Sequence, residues 1–312
     1  QTFNVGAKDT DTYWNGLISY MAFVDGTAYT PTSFGEVNAA SGIWKINTAP
    51  SVTYGNNGFF LKMDTTSPGS DTSGNDNTFT AAGTPTLAQD NASNILATMN
   101  PLDNFWQNQT FSFGNLQVLS DNPAPVKSTL GVSSGKWYIE AKAVSGSASD
   151  YQIGIISSQV VGTQELGNYS NDYSYYGASG DYRNNNSFTS YGNSYTAGDI
   201  IGVAIDLNNN KLYFSKNGVF QNSGDPTSGS TGTGAISITT PSSTELGSYF
   251  FGIGANANAN KYTWAANFGN GFFGVTAVAS SNADAAGHGL FEYAVPTGYF
   301  TLNTKNLNTY GG

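Results

Sequence analysis

Few residues in this chain could carry covalent chemistry. The lone histidine, His288, lies in Ala285-Ala286-Gly287-His288-Gly289, a loop-forming run. A Ser-His-Asp triad would need it as base, and no nucleophile-elbow sequence accompanies it. Paired carboxylates could cleave a glycosidic bond, one as general acid and the other as nucleophile or base. Glu140, Glu165, Asp172 and Asp181 are the candidates nearest the aromatic-rich region. A polysaccharide depolymerase would usually show long β-helical repeats, and no fixed period is present. Asp64, Asp71 and Asp76, with Asn75, could offer oxygen ligands to Ca²⁺. The run 71–77 lacks the glutamate and the spacing of an EF-hand loop, however, and its composition favours a cluster of Asx turns.

The densest group of contact-type side chains lies between residues 169 and 195. Tyr169, Tyr173, Tyr175, Tyr176, Tyr182, Tyr191 and Tyr195 stand among Asn, Ser and Gly, with Arg183, the only arginine, inside. Tyrosine with Ser, Gly and Asn is the composition of contact loops in binding proteins. Tyrosine rings also stack on sugars while their hydroxyls hydrogen-bond. Period-2 spacing, as in Tyr173 and Tyr175, fits a strand packing a core equally well. Both readings stand at this point, and all eight residues are candidate ligand contacts.

Composition narrows the partners. Of 312 residues only 10% are charged, the net charge is −10, and 11 basic residues face 21 acidic ones. Nucleic-acid binding needs several Lys or Arg against phosphates, and anionic membranes make the same demand; this balance disfavours both. No cysteine is present, which excludes a disulfide framework, a thiolate metal site and a cysteine nucleophile. No run reaches the roughly 18 apolar residues that span a bilayer. The chain starts at Gln1 within a strand-like run, so it is read as a processed chain or as part of a longer one.

The elements that would position these residues are strands. Gly numbers 38 and Tyr and Phe 19 each, supplying turns on one side and strand formers on the other. Short apolar or alternating runs bounded by Gly, Asn and Asp recur throughout. Trp137, Ile139 and Ala141 share one face of a predicted strand, and Tyr138, Glu140 and Lys142 the other. Residues 198–207 form a near-continuous apolar run, as a central buried strand would. Asn208-Asn209-Asn210 turns it, residues 211–216 return, and Asn217-Gly218 offers a type I′ turn. One helix is predicted over residues 32–40, where Phe34 and Val37 lie three apart.

Five pieces occur in order: Gly135-Lys136-Trp137-Tyr138-Ile139-Glu140; Gly198-Asp199-Ile200-Ile201-Gly202-Val203, continuing to Asp206; Leu212-Tyr213-Phe214-Ser215-Lys216-Asn217-Gly218; Tyr249-Phe250; and Asn267-Phe268-Gly269. This order resembles the SPRY domain over residues 105–275. It departs at Phe251-Gly252, where many relatives place a proline. The resemblance implies an all-β, concanavalin-like antiparallel β-sandwich of SPRY or jelly-roll type. Trp137, Ile153, Ile201, Val203, Ile205, Phe214, Phe251 and Phe268 are its expected core.

Residues 1–60, with Asn15-Gly16-Leu17-Ile18 and Tyr29-Thr30-Pro31-Thr32-Ser33-Phe34, resemble the end part of a laminin-G-like sandwich. Residues 61–104 read as a Gly/Asp/Ser/Thr-rich connector, in which the turn Asp71-Thr72-Ser73-Gly74-Asn75-Asp76-Asn77 has laminin-G-like form. Residues 276–312 read as a tail packing on the sandwich. The connector and the tail, Phe291-Glu292-Tyr293 through Pro296-Thr297-Gly298-Tyr299-Phe300 to Asn306-Leu307, resemble segments flanking SPRY-like domains in bacteriophage virion proteins. The resemblance implies a non-enzymatic virion-surface protein: a tail fibre, head fibre or decoration subunit. It would recognise a host-surface glycan or protein through sandwich loops, as a homo-oligomer beside other virion proteins. A purely structural virion subunit and a polysaccharide depolymerase are the alternatives. No cofactor is expected beyond the Ca²⁺ considered at Asp64, Asp71 and Asp76.

Overall fold

Strands whose two faces carry different residues need two different coverings, and the chain supplies both. The computed structural model describes residues 5, 18–37, 44–63, 67–81, 90, 94–103, 109–120, 123–159, 164–255 and 262–311. Contacts divide the chain into two compact units, residues 1–93 and 94–312. That division falls inside the stretch 61–104 read as a connector.

In the first unit, β1 (Met21–Phe23) pairs antiparallel with β4 (Phe59–Leu61), and β2 (Gly35–Val37) with β3 (Trp44–Ile46). Phe59, Phe60 and Leu61 are buried. Phe59 stacks on Phe23 and meets Phe79 edge-on at 4.8 Å. The helix predicted over 32–40 is corrected over residues 32–37, and 38–40 lie outside the described residues. A 3₁₀ turn spans Pro31–Ser33 and strand β2 follows at once. Proline starts a helical turn well, but the next residues gain more from pairing, Val37 lying opposite Trp44.

The second unit is an antiparallel β-sandwich. Its strands are β5 (Thr110–Ser112), β6 (Gln117–Ser120), β7 (Val126–Val132), β8 (Lys136–Ser145), β9 (Gln152–Ile156), β10 (Tyr173–Tyr176), β11 (Asp181–Asn184), β12 (Ser187–Ser190), β13 (Ile200–Asp206), β14 (Lys211–Lys216), β15 (Val219–Phe220), β16 (Ile236–Ser237), β17 (Tyr249–Gly254), β18 (Tyr262–Asn267), β19 (Phe272–Phe273), β20 (Thr276–Ala277) and β21 (Phe300–Thr301). A six-stranded sheet runs β12-β11-β10-β9-β17-β7. The facing nine-stranded sheet runs β15-β14-β13-β8-β18-β6-β5, with β16 added to β14 and β21 to β8. Trp137, Ile153, Ile201, Val203, Ile205, Phe214, Phe251 and Phe268 are all buried in one cluster, as the alternation predicts.

The register explains the near-continuous apolar run in β13. Ile201, Val203 and Ile205 lie opposite Ala141, Ile139 and Trp137 and face the sandwich interior. Ala204, opposite Tyr138, faces the other way into a second cluster with Tyr213, Phe291 and Tyr299. The C-terminal segment therefore covers the outer face of the central strands, and residues on both faces are buried. This segment ends in α1 (Thr304–Tyr310), the one α-helix among the described residues. The side chain of Asn303 caps it by accepting from the Asn306 N–H, as Asn does at helix starts. At Phe251-Gly252 the β17–β7 register shifts, and a Cβ on Gly252 would lie 2.4 Å from the Ile156 side chain. A side chain there would have to displace Ile156.

Candidate functional site

The tyrosine-rich stretch sorts itself by strand alternation. Tyr173 and Tyr175 of β10 point into the sandwich, and Tyr191 and Tyr195 join them; all four are buried. Tyr175 stacks on Phe214 at 5.3 Å and meets Tyr191 edge-on. The polar ends are satisfied internally. Tyr195 donates to the Tyr175 carbonyl at 2.7 Å, Tyr175 donates to the Asn193 carbonyl, and Tyr191 accepts from the Phe214 N–H at 3.1 Å. Burial raises the Tyr175, Tyr191 and Tyr195 hydroxyls above their ordinary range. As ligand contacts these four are corrected to core residues, since rings packed between two sheets offer no surface to a partner. Tyr169, Tyr176 and Tyr182 are half-buried. Tyr182 leans on the core cluster, perpendicular to Tyr191.

Arg183 is also nearly buried. It forms an ion pair with Glu165 and donates to the side-chain carbonyl of Asn186. Its guanidinium carbon lies 5.2 Å from the ring centroid of Phe188, and Tyr176 lies 5.4 Å from the same ring on the same outer face. Phe188 is 48% exposed. A large aromatic residue in contact with a cation and a second ring, yet open to solvent, has the make-up of a contact anchor. Reading the stretch as a tyrosine loop missed Phe188. The usable signal was Asn184-Asn185-Asn186, a hairpin turn that places Phe188 on a returning strand.

That hairpin fixes the backbone as well. Asn185 and Asn186 both have positive φ, 49° and 58°, as the centre of a type I′ turn requires. The turn is closed by the pair Asn184↔Ser187. In a two-residue hairpin the closing pair exchanges both hydrogen bonds, and pairs then alternate. Arg183↔Phe188 is therefore the non-bonded pair, and the Phe188 N–H and C=O point away from β11; those of Ser190 do likewise. All four residues of β12 are exposed, and no described strand lies beyond it.

The remaining candidate groups have structural partners. Glu140 is buried and accepts from the backbone N–H groups of Glu292 and Tyr293 and from the Tyr138 hydroxyl. Burial nonetheless pushes its carboxyl up to about 7. Asp172 accepts from the N–H groups of Ser157 and Ser158, and burial pushes it up to about 6. Asp181 accepts from Ser179. His288 lies in a loop whose backbone N–H donates to Asp284. Asp71 takes the N–H groups of Phe60, Ser73 and Asn77 and the Ser73 hydroxyl. These donors hold its carboxyl below the usual range despite partial burial. They occupy the lone pairs a cation would need, so Asp71 is a turn staple and is corrected as a Ca²⁺ ligand. Asp76 is exposed with positive φ, and Asp64 lies outside the described residues. Among the described residues no group of three or more His, Cys, Asp or Glu is arranged to hold a metal.

A dual specificity protein kinase of Dictyostelium discoideum, splA, is 33% identical over 94 residues, 30% of this chain and 4% of that protein. The chain thus spans a small part of that relative's length. The crystal structure of the SPRY domain of human HERC1 aligns with a TM-score of 0.40 at 15% identity, covering 54% of this chain and 96% of that one. Residues 136–237, running from β8 through β16 and including the β11–β12 hairpin, match the family model of the SPRY domain.

Proposed function

We propose that this chain is a non-catalytic recognition protein that engages a macromolecular surface through the β11–β12 edge of its SPRY-like sandwich. The observation that carries it is Phe188, open to solvent on an unpaired edge strand and braced by Arg183 and Tyr176. Binding energy at protein surfaces concentrates in a few such anchors. The candidate carboxylates are held by donors of the fold itself, which suits a rigid scaffold. In this proposal the setting is the exterior of a bacteriophage particle and the target a host-surface glycan or protein. The connector and tail resemblances support that setting, and so does a composition poor in cations.

The test uses the labelled full chain on intact bacterial cells, either untreated, periodate-oxidised or protease-shaved. Phe188→Ala is expected to lower cell binding about tenfold or more, the loss typical of an anchor, with melting unchanged. Loss after periodate assigns a glycan, and loss after protease a protein. Unaltered binding by Phe188→Ala would remove this edge as the recognition surface. If the same variant then failed to assemble into particles, the structural-subunit role would replace recognition.

A further inference from the structure

The two ends of the six-stranded sheet meet different fates. At the β7 end, an extended stretch of the same chain closes the sheet. The Thr129 N–H donates to the Thr98 carbonyl at 2.7 Å, the Asn100 N–H donates to the Lys127 carbonyl at 2.8 Å, and Met99 bridges Ser128. Met99 is buried and joins the core cluster. The β12 end has no such cover among the described residues. Edge strands are usually guarded by charges, proline, a bulge, a cover or their own shortness, and of these β12 has only its four-residue length. Ser187-Phe188-Thr189-Ser190 has no charge and no proline, and its register with β11 is continuous.

We infer that β12 is a strand-addition site, taking an extended polypeptide segment of a partner as a seventh strand. This rests on the reading of the same edge as the recognition surface and names its occupant. The outward N–H and C=O groups of Phe188 and Ser190 recur every second residue, a spacing that another strand matches. Phe188 faces outward, so the incoming residue opposite it is apolar or aromatic and packs on its ring. The β7 end shows the same backbone pairing already in use, with Met99 there turned inward onto the core. Charge narrows the occupant further. The chain carries −10 overall, and the cation across from Phe188, Arg183, is tied to Glu165. An acidic segment would be repelled without compensation, so the segment is neutral or basic.

The probe is a blocked heptapeptide alternating threonine with valine or phenylalanine and ending in lysine, titrated into the ¹⁵N-labelled full chain. The amide signals of Phe188 and Ser190 are expected to shift and their exchange to slow. N-methylation of alternate peptide amides, or replacement of its threonines by glutamate, is expected to weaken binding about tenfold, the scale of one or two lost hydrogen bonds. Ser190→Pro removes an outward N–H without touching the β11 ladder and is expected to do the same. Binding elsewhere, or binding indifferent to N-methylation, overturns the inference. So does self-association of the free chain that Ser190→Pro abolishes, which would assign the edge to a second copy. If Phe188→Ala loses cell binding while the peptide fails to add, strand addition falls and recognition stands. If the peptide adds as described while Phe188→Ala binds cells normally, the recognition proposal falls instead.

Discussion

The β7 and β12 ends of one sheet differ in the strand and in what lies beyond it: β7 has seven residues, several of them buried, and β12 four, all exposed. Beyond β7, residues 98–100 supply hydrogen bonds and a buried methionine. No strand lies beyond β12 among the described residues, and β12 itself presents an exposed phenylalanine and outward backbone groups. The first end is part of the fold's stability. The second has no partner strand beyond it among the described residues, and the proposed recognition uses that vacancy. An edge strand without charge, proline or bulge is guarded only by its shortness, and the contrast with the closed end within one sheet is what the strand-addition proposal explains.

The comparison is broken or sharpened by substitutions of graded effect. The largest effect is expected in the core behind β12. Tyr175→Ala empties a fully buried site between Phe214, Tyr191 and Tyr195 and should cost about 3–5 kcal/mol in denaturant unfolding. A near-neutral result would mean that these rings are surface after all. At the closed end, Met99→Ala should cost about 2–4 kcal/mol by the same measurement. A cost below about 0.5 kcal/mol, the range of ordinary surface substitutions, would erase the difference between the two ends.

A pH effect of intermediate size comes from the buried carboxyls. Glu140 and Asp172 titrate higher in the folded chain, at about 7 and about 6, than their ordinary 4.5 and 3.8. The folded state therefore holds protons that the unfolded state has released. The contribution of these two groups should be fully present below about pH 3.8 and be lost as pH rises through about 7, by on the order of 2 kcal/mol for Glu140. Denaturant midpoints measured across that range check it. Glu140→Gln should flatten the fall, and an unchanged slope would show that Glu140 is charged throughout. The smallest effect on stability is expected at the open end, where Phe188→Ala should lie within about 0.5 kcal/mol of wild type.

Much of the sandwich was legible in the sequence because strand alternation reports burial directly. The inward residues Trp137, Ile153, Ile201 and Val203 stood out on one face of each run and are buried. What lay on the other face was not legible. Tyr138 and Glu140 look like solvent-facing residues, and only the return of Phe291, Glu292, Tyr293 and Tyr299 over β8 makes them interior. The helix α1 was missed because its seven residues are too short to show a period. In the candidate site, composition misled. Tyrosine among Asn and Ser suits both a contact loop and a sandwich interior with its hydroxyls satisfied, and four of the seven tyrosines chose the interior. Phe188, outnumbered by tyrosines, needed the Asn185-Asn186 turn geometry to be placed on an edge.

The difference between the two ends is tested most directly by amide hydrogen exchange in the free chain. The N–H groups of Thr129 and Asn100, bonded across the closed end, should exchange only through large opening events and be strongly slowed. Those of Phe188 and Ser190 should exchange at close to unprotected rates, while Thr189 between them, bonded to β11, is slowed. Comparable protection at Phe188 and Thr129 would contradict an open β12 edge, and with it the recognition surface placed there.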